Sequence, residues 1–183
     1  LALMTARIAT NRIVTPRLIK SIDGIEQPSG AGEPLGVSEN NIRKVRKGMQ
    51  VVVNDRRGTA YRSRIIADEM RMAGKTGTSQ VRNITAAERA RGVSRNEDLP
   101  WERRDHALFV AFAPYDKPRY ALSVLVEHGG GGSAAAAPIA AVPPMKARRF
   151  MRSASIWSIS FARSSFIIFS LWPLWPYYCL YSQ

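Results

Sequence analysis

Acidic residues are scarce in this chain of 183 residues: 14 Asp and Glu stand against 27 Lys and Arg, a formal net charge of +13. Such an imbalance suits a polyanionic partner such as nucleic acid, anionic lipid or a charged wall polymer. The cations, however, run as Arg43, Lys44, Arg46, Lys47, then Arg56, Arg57, Arg62, Arg64, then Arg103, Arg104. They are interleaved with acids and lack the aromatic platforms or zinc-finger spacing of nucleic-acid readers, so they read as a solvated basic face and no nucleic-acid partner is favoured. Cysteine is nearly absent too: Cys179 alone excludes an intramolecular disulfide and a cysteine-based metal framework, and neither metal nor cofactor is expected. Long apolar runs are missing. The stretch 166–181 is broken by Pro173 and Pro176 and falls short of the roughly 20 residues a membrane helix needs. The opening residues Leu1 to Arg7 include no initiator Met and no charged segment leading into an apolar one, so the sequence is expected to begin inside a longer protein, without an export signal or anchor of its own.

What is present divides at about residue 140. Residues 1–11 read as a helix with Leu1, Met4 and Ile8 on one face, followed by an extended segment over 13–19. Pro28, Gly30, Gly32, Pro34 and Gly36 make 27–36 a loop. Ser38 then suits the N-cap of a helix whose apolar stripe is Ile42, Val45 and Met49, with Gly48 near its end and Val51 to Val53 either continuing it or opening the next segment. After residue 81 an arginine-rich stretch reaching Arg104 is too long for a hairpin turn and reads as a surface excursion, with some helix near 86–91. Apolar, β-branched and aromatic runs at 108–113 and 120–126, separated by Pro114-Tyr115-Asp116-Lys117-Pro118, predict a hairpin buried deeply enough to need helices over it. A glycine turn at 129–132 and a helix start at 134–140 close this part. Residues 141–183 hold no Asp or Glu and concentrate Ser, Arg and aromatics, including Trp157, Trp172 and Trp175. That composition reads as an atypical, foreign or frame-shifted tail rather than a membrane segment.

Lys75-Thr76-Gly77-Thr78 is the motif with chemistry in it. Gly74-Lys75-Thr76 resembles the end of a phosphate-binding loop, but Glu69 stands where that loop needs its first Gly. His128-Gly129-Gly130-Gly131 copies an esterase oxyanion loop, yet no Gly-x-Ser-x-Gly elbow accompanies it. On a strand, the tetrad would present a fixed cation, two hydroxyls and backbone N–H donors beside a glycine that admits a ligand backbone. Taken alone, it is better explained by a loop lysine beside a turn glycine.

Context decides between these. Gly58-Thr59-Ala60, Ala73-Gly74-Lys75-Thr76-Gly77-Thr78-Ser79-Gln80-Val81, Arg104-Asp105-His106, Phe109-Val110-Ala111-Phe112-Ala113-Pro114 and Glu127-His128-Gly129-Gly130 occur in an order that resembles the class B penicillin-binding proteins, in particular the penicillin-binding protein 2 group. The resemblance covers residues 1–140. It implies an α+β fold, an antiparallel sheet flanked by helices as in serine β-lactamases, and the C-terminal part of a peptidoglycan D,D-transpeptidase domain working through an acyl-serine. The implied partners are peptidoglycan stem peptides and β-lactams, with elongation-machinery proteins for the intact family, and the implied location is the inner membrane with the domain facing the periplasm. It further implies that Lys75 serves electrostatics and proton transfer, that Thr76, Gly77 and Thr78 line the substrate site with both threonines binding its carboxylate, and that the Thr78 N–H is an oxyanion donor. No Ser in the chain has a Lys three residues later, and Ser38-Glu39-Asn40 is explained by helix capping. The chain is therefore expected to be inert by itself, and, with family helices missing from both sides and an apolar sheet face left exposed, marginally stable or prone to aggregate. His106 and His128 read as strand-end contacts rather than bases. The alternative from another class is a non-catalytic basic module that docks on anionic lipid or nucleic acid.

Overall fold

The computed structural model describes residues 1–16, 19, 21–26, 31–141 and 172–173. Helix α1 (Ala2–Thr10) leads into β1 (Arg12–Val14), the short hairpin β2 (Ser21–Ile22) and β3 (Ile25–Glu26), and β4 (Ala31–Pro34), which pairs antiparallel with β1. Helix α2 (Glu39–Asn54) follows, then β5 (Ala73–Ser79), the short α3 (Ala86–Arg91), the hairpin of β6 (His106–Ala113) and β7 (Tyr120–Val126), and a π-helical turn (Gly132–Ala136) running into α4 (Ala137–Ala140). A two-residue strand, β8 (Trp172–Pro173), pairs with β7 at Tyr120 and Ala121 and is, with Ala141, the described part of the 141–183 tail, the rest of which lies outside the described residues. The main sheet has the order β5-β6-β7-β8, antiparallel throughout. This is the α+β architecture expected.

Both faces of the β6–β7 hairpin are covered, because its alternation supplies a wholly buried aromatic to each. Phe112, Ala121 and Ala73 pack with Ala6 and Ala9 of α1 and Met49 of α2. Phe109, Ala111 and Val124 pack on the opposite side with Ala136, Ala137 and Ala140, together with Met72 and Val53. The expectation of a bare apolar sheet face fails for this reason: the π turn and α4 already cover Phe109 and Val124, both fully buried.

Two sequence expectations about helices are corrected. In α1 the buried face is Ala2, Thr5, Ala6 and Ala9, while Leu1 and Met4 are 59% and 45% exposed. The helix lies close over Phe112 and Ala121, and only small side chains fit between; Leu3 and Ile8 flank the contact. In α2, Gly48 is interior rather than terminal, since burial of Met49 and Val53 carries the helix to Asn54; Val45 is 47% exposed. Ser38 occupies the N-cap position, but its side chain makes no capping bond. The end of α1 and the start of α2 are joined instead through Asn11, in left-handed conformation, whose Nδ2 donates to Glu39 Oε2 at 2.9 Å and to the Val37 carbonyl at 3.2 Å.

The excursion between β5 and β6 is ordered by charge. Arg82 grips Glu88 through two bonds of 2.7 Å, and the Thr85 hydroxyl caps α3 by accepting from the Glu88 N–H. The Arg82 guanidinium, assisted by the Ser94 N–H, holds the Glu88 carboxyl down at about 2.

Candidate active site

The tetrad lies on β5, which pairs along its whole length with β6 from Ala73 opposite Phe112 to Ser79 opposite His106. Among the described residues nothing pairs with its other side, so β5 is the outer strand of the sheet. Its inner half is fixed by burial: Met72, Ala73 and Gly74 are buried, and a Cβ on Gly74 would stand 2.5 Å from Phe109 Cζ and 2.7 Å from the Val110 carbonyl. Glycine is required there because the core ring crosses the strand. The outer half opens to solvent, with Lys75, Thr78 and Ser79 exposed and Thr76 and Gly77 half-buried.

Strand alternation divides the tetrad. Lys75 and Gly77 share the face of their partners Val110 and Leu108, whereas Thr76 and Thr78 share that of Phe109 and Ala107. Lys75 Nζ donates to the Thr76 carbonyl at 2.5 Å, and among the described residues its ammonium has no carboxylate partner. The Thr76 hydroxyl meets that of Thr59 at 2.9 Å. Thr59 arrives through the turn that ends α2, where the Ala60 N–H donates to the Val52 carbonyl. Thr59 belongs to the Gly58-Thr59-Ala60 motif, which gives it no role in the sequence; seventeen residues separate it from Thr76, and no local pattern announces the pair.

A second constellation sits at the far end of β5. His106 opens β6 opposite Ser79, and its Nδ1 accepts the N–H of His128 at 2.9 Å. His128 Nδ1 lies 2.8 Å from the Arg104 carbonyl, and its ring rests 4.2 Å from that of Trp101. Both histidines are strand-end contacts, as expected. Gly132, by contrast, reads in the sequence only as part of a flexible turn. It packs so tightly on the tetrad that a Cβ would fall 2.4 Å from the Gly77 carbonyl oxygen and 2.1 Å from that of Leu108. Among the described residues no group of three or more His, Cys, Asp or Glu is placed to hold a metal ion, and no helix is long and apolar enough to cross a membrane.

An open strand edge with hydroxyls and a cation that has no carboxylate partner among the described residues can bind an anion beside backbone donors. The family model described as the penicillin binding protein transpeptidase domain matches residues 1–142. Among curated proteins, peptidoglycan D,D-transpeptidase MrdA of Haemophilus influenzae is 36% identical over 143 residues, covering 74% of this chain and 21% of the relative. The MrdA of Acinetobacter baumannii is 35% identical, covering 76% and 21%. The chain thus spans about a fifth of the length of these relatives. Among solved structures, Helicobacter pylori penicillin-binding protein 2 in complex with MreC superposes with a TM-score of 0.58 at 31% identity, over 82% of this chain and 24% of that one. Pseudomonas aeruginosa penicillin-binding protein 2 in complex with WCK 5153 gives 0.55 at 37% identity, over 76% and 26%. Because the family model takes in all of the tetrad strand, both supporting helices and the β6–β7 hairpin, the chain belongs to the penicillin binding protein transpeptidase domain family.

Proposed function

We propose that β5 is one wall of the cleft of a peptidoglycan D,D-transpeptidase of the penicillin-binding protein 2 kind, whose nucleophilic serine is supplied by sequence outside this chain. Residues 1–140 form the transpeptidase portion and 141–183 are an extension to it. The observation that carries the reading is the exposed outer edge of β5, where Lys75 and Thr78 are open and the Thr76 hydroxyl is held by Thr59. A ligand lying along an outer strand touches side chains of both faces, so Lys75 on one side and Thr76 and Thr78 on the other border a single groove despite their alternation.

In that groove the Lys75 ammonium attracts the carboxylate that ends a stem peptide or sits on a β-lactam, and assists proton transfer at the serine. The two threonine hydroxyls donate to the carboxylate. The Thr78 N–H donates to the developing oxyanion, and Gly77 keeps the approach free of a side chain. Oxyanion and carboxylate donors stabilise an acyl-transfer transition state but cannot open a carbonyl without a nucleophile, so this chain binds and does not turn over. The H. pylori relative forms a complex with MreC, which makes an elongation-machinery partner part of the proposal for the intact protein; a periplasm-facing position at the inner membrane is part of it by family resemblance.

The test is incubation of the purified chain with a labelled penicillin followed by intact-mass measurement. No covalent adduct is expected. A stoichiometric adduct would mean that a nucleophile resides within these 183 residues and would overturn the division of labour.

A further inference from the structure

We propose that His106 is a positioning residue for the tetrad strand: its ring, in the Nε2–H form, latches the 127–132 turn against β5. The inference rests on the reading of β5 as the cleft wall. It starts from proton placement. A backbone N–H can only donate, so the His106 Nδ1 that meets the His128 N–H at 2.9 Å carries the lone pair and its proton sits on Nε2. The Arg104 carbonyl can only accept, so His128 Nδ1, 2.8 Å away, carries a hydrogen.

These two bonds hold His128 at φ 53°, a left-handed conformation that side chains other than glycine seldom adopt and that persists where surroundings enforce it. The His128 ring is further enclosed by Trp101 at 4.2 Å and by His106 at 4.7 Å, the latter edge-on. The left-handed residue swings the chain into the glycine turn. There the Gly130 N–H donates to the Asp105 carbonyl at 2.8 Å, and two residues later Gly132 lies against the backbone of Gly77. The same Asp105 accepts the Val81 N–H on its carboxylate at 3.2 Å, and its own N–H donates to Asn96 Oδ1 at 2.9 Å. Turn, excursion and the end of the tetrad strand are thereby tied at one place. With the latch closed, Gly77 is confined between Leu108 and Gly132, and with it the adjoining Thr78, whose N–H the proposed function assigns to the oxyanion, is held in place.

The test separates the acceptor from mere packing. In His106→Asn the amide oxygen takes the place of Nδ1; in His106→Gln it reaches instead toward Nε2. Amide exchange is followed by NMR on the full chain without ligand. His106→Gln should speed exchange at His128, Gly130 and Val81 by roughly 3- to 10-fold and move the Gly77 amide signal, whereas His106→Asn should stay within about twofold of the wild type. Ala111 and Phe112, in the middle of the sheet, should be unaffected in both. Wild-type behaviour of His106→Gln, or equal acceleration in both variants, would overturn the latch. So would acceleration reaching Ala111 and Phe112, since His106 would then support the sheet as a whole. As no ligand is present, failure of the latch leaves the binding reading intact, and failure of the tetrad to bind a carboxylate leaves the latch intact.

Discussion

Replacing Gly132 by alanine tests the coupling between the π turn and the tetrad at its closest point. The added methyl would stand 2.1 Å from the Leu108 oxygen, 2.4 Å from the Gly77 oxygen and 2.9 Å from the Gly77 nitrogen, where real contacts of this kind essentially never fall below 3.0 Å. All three neighbours are backbone, so no flexible side chain can move aside. Restoring a 3.0 Å contact to Leu108 requires the turn or the strand to give way by about 0.9 Å. The turn leads directly into Ala136, Ala137 and Ala140, which close the core over Phe109 and Val124, so lifting it also loosens that packing. Overpacking of this kind costs typically 1–3 kcal/mol, and with rigid neighbours on every side the expected value is about 3 kcal/mol. At roughly 2–4 °C per kcal/mol for a chain of this size, the melting temperature should fall by about 6–12 °C. Thermal unfolding measures the loss, and the Gly77 and Leu108 amide signals should shift in the same variant. A fall of less than about 2 °C with those signals unmoved would refute the packing argument.

The remaining predictions differ in sign or in mechanism. Gly48→Ala should stabilise, since Gly48 is interior to α2 and a Cβ there meets nothing within 4 Å; a gain of about 0.5–1 kcal/mol, read as a melting temperature higher by about 1–4 °C, is expected from helix propensity and the unfolded-state entropy removed. Glu88 titrates at about 2 in the folded chain against an ordinary 4.5, so its contribution to stability is complete above about 4.5 and is lost as pH falls toward 2. Glu88→Gln should flatten that part of the profile in thermal melts taken across the same range, leaving neutral-pH behaviour of β5 unchanged.

The hairpin of β6 and β7 was legible because its β-branched and aromatic runs are broken by a proline-bounded turn, and the helix within the excursion by its composition. The identity of the tetrad strand came from ordered motifs rather than periodicity. What escaped the sequence reading depends on distance between elements. Ala6 and Ala9 become core only because α1 approaches the sheet closely, and hydrophobic spacing points to Leu1 and Met4 instead. Gly48 reads as a helix end until Val53, one turn beyond, is seen to be fully buried. The pairs Thr59–Thr76 and His106–His128 join residues 17 and 22 apart, and the Gly132–Gly77 contact joins residues from different elements, so none has a local signature. Lys75, Thr76, Gly77 and Thr78 share one strand; that Lys75 leaves it on the opposite face from Thr76 and Thr78 follows from alternation once β5 is known to pair throughout.

The outer edge of β5 should bind a carboxylate ligand. An NMR titration of the full chain with a penicillin should perturb amides of residues 75–79 and of Thr59, with the effect weakened in Lys75→Met and no covalent product formed. Perturbation confined to exposed cations of α2 such as Arg43 and Lys44, with β5 silent, would contradict it and favour a basic surface that collects anions without a cleft.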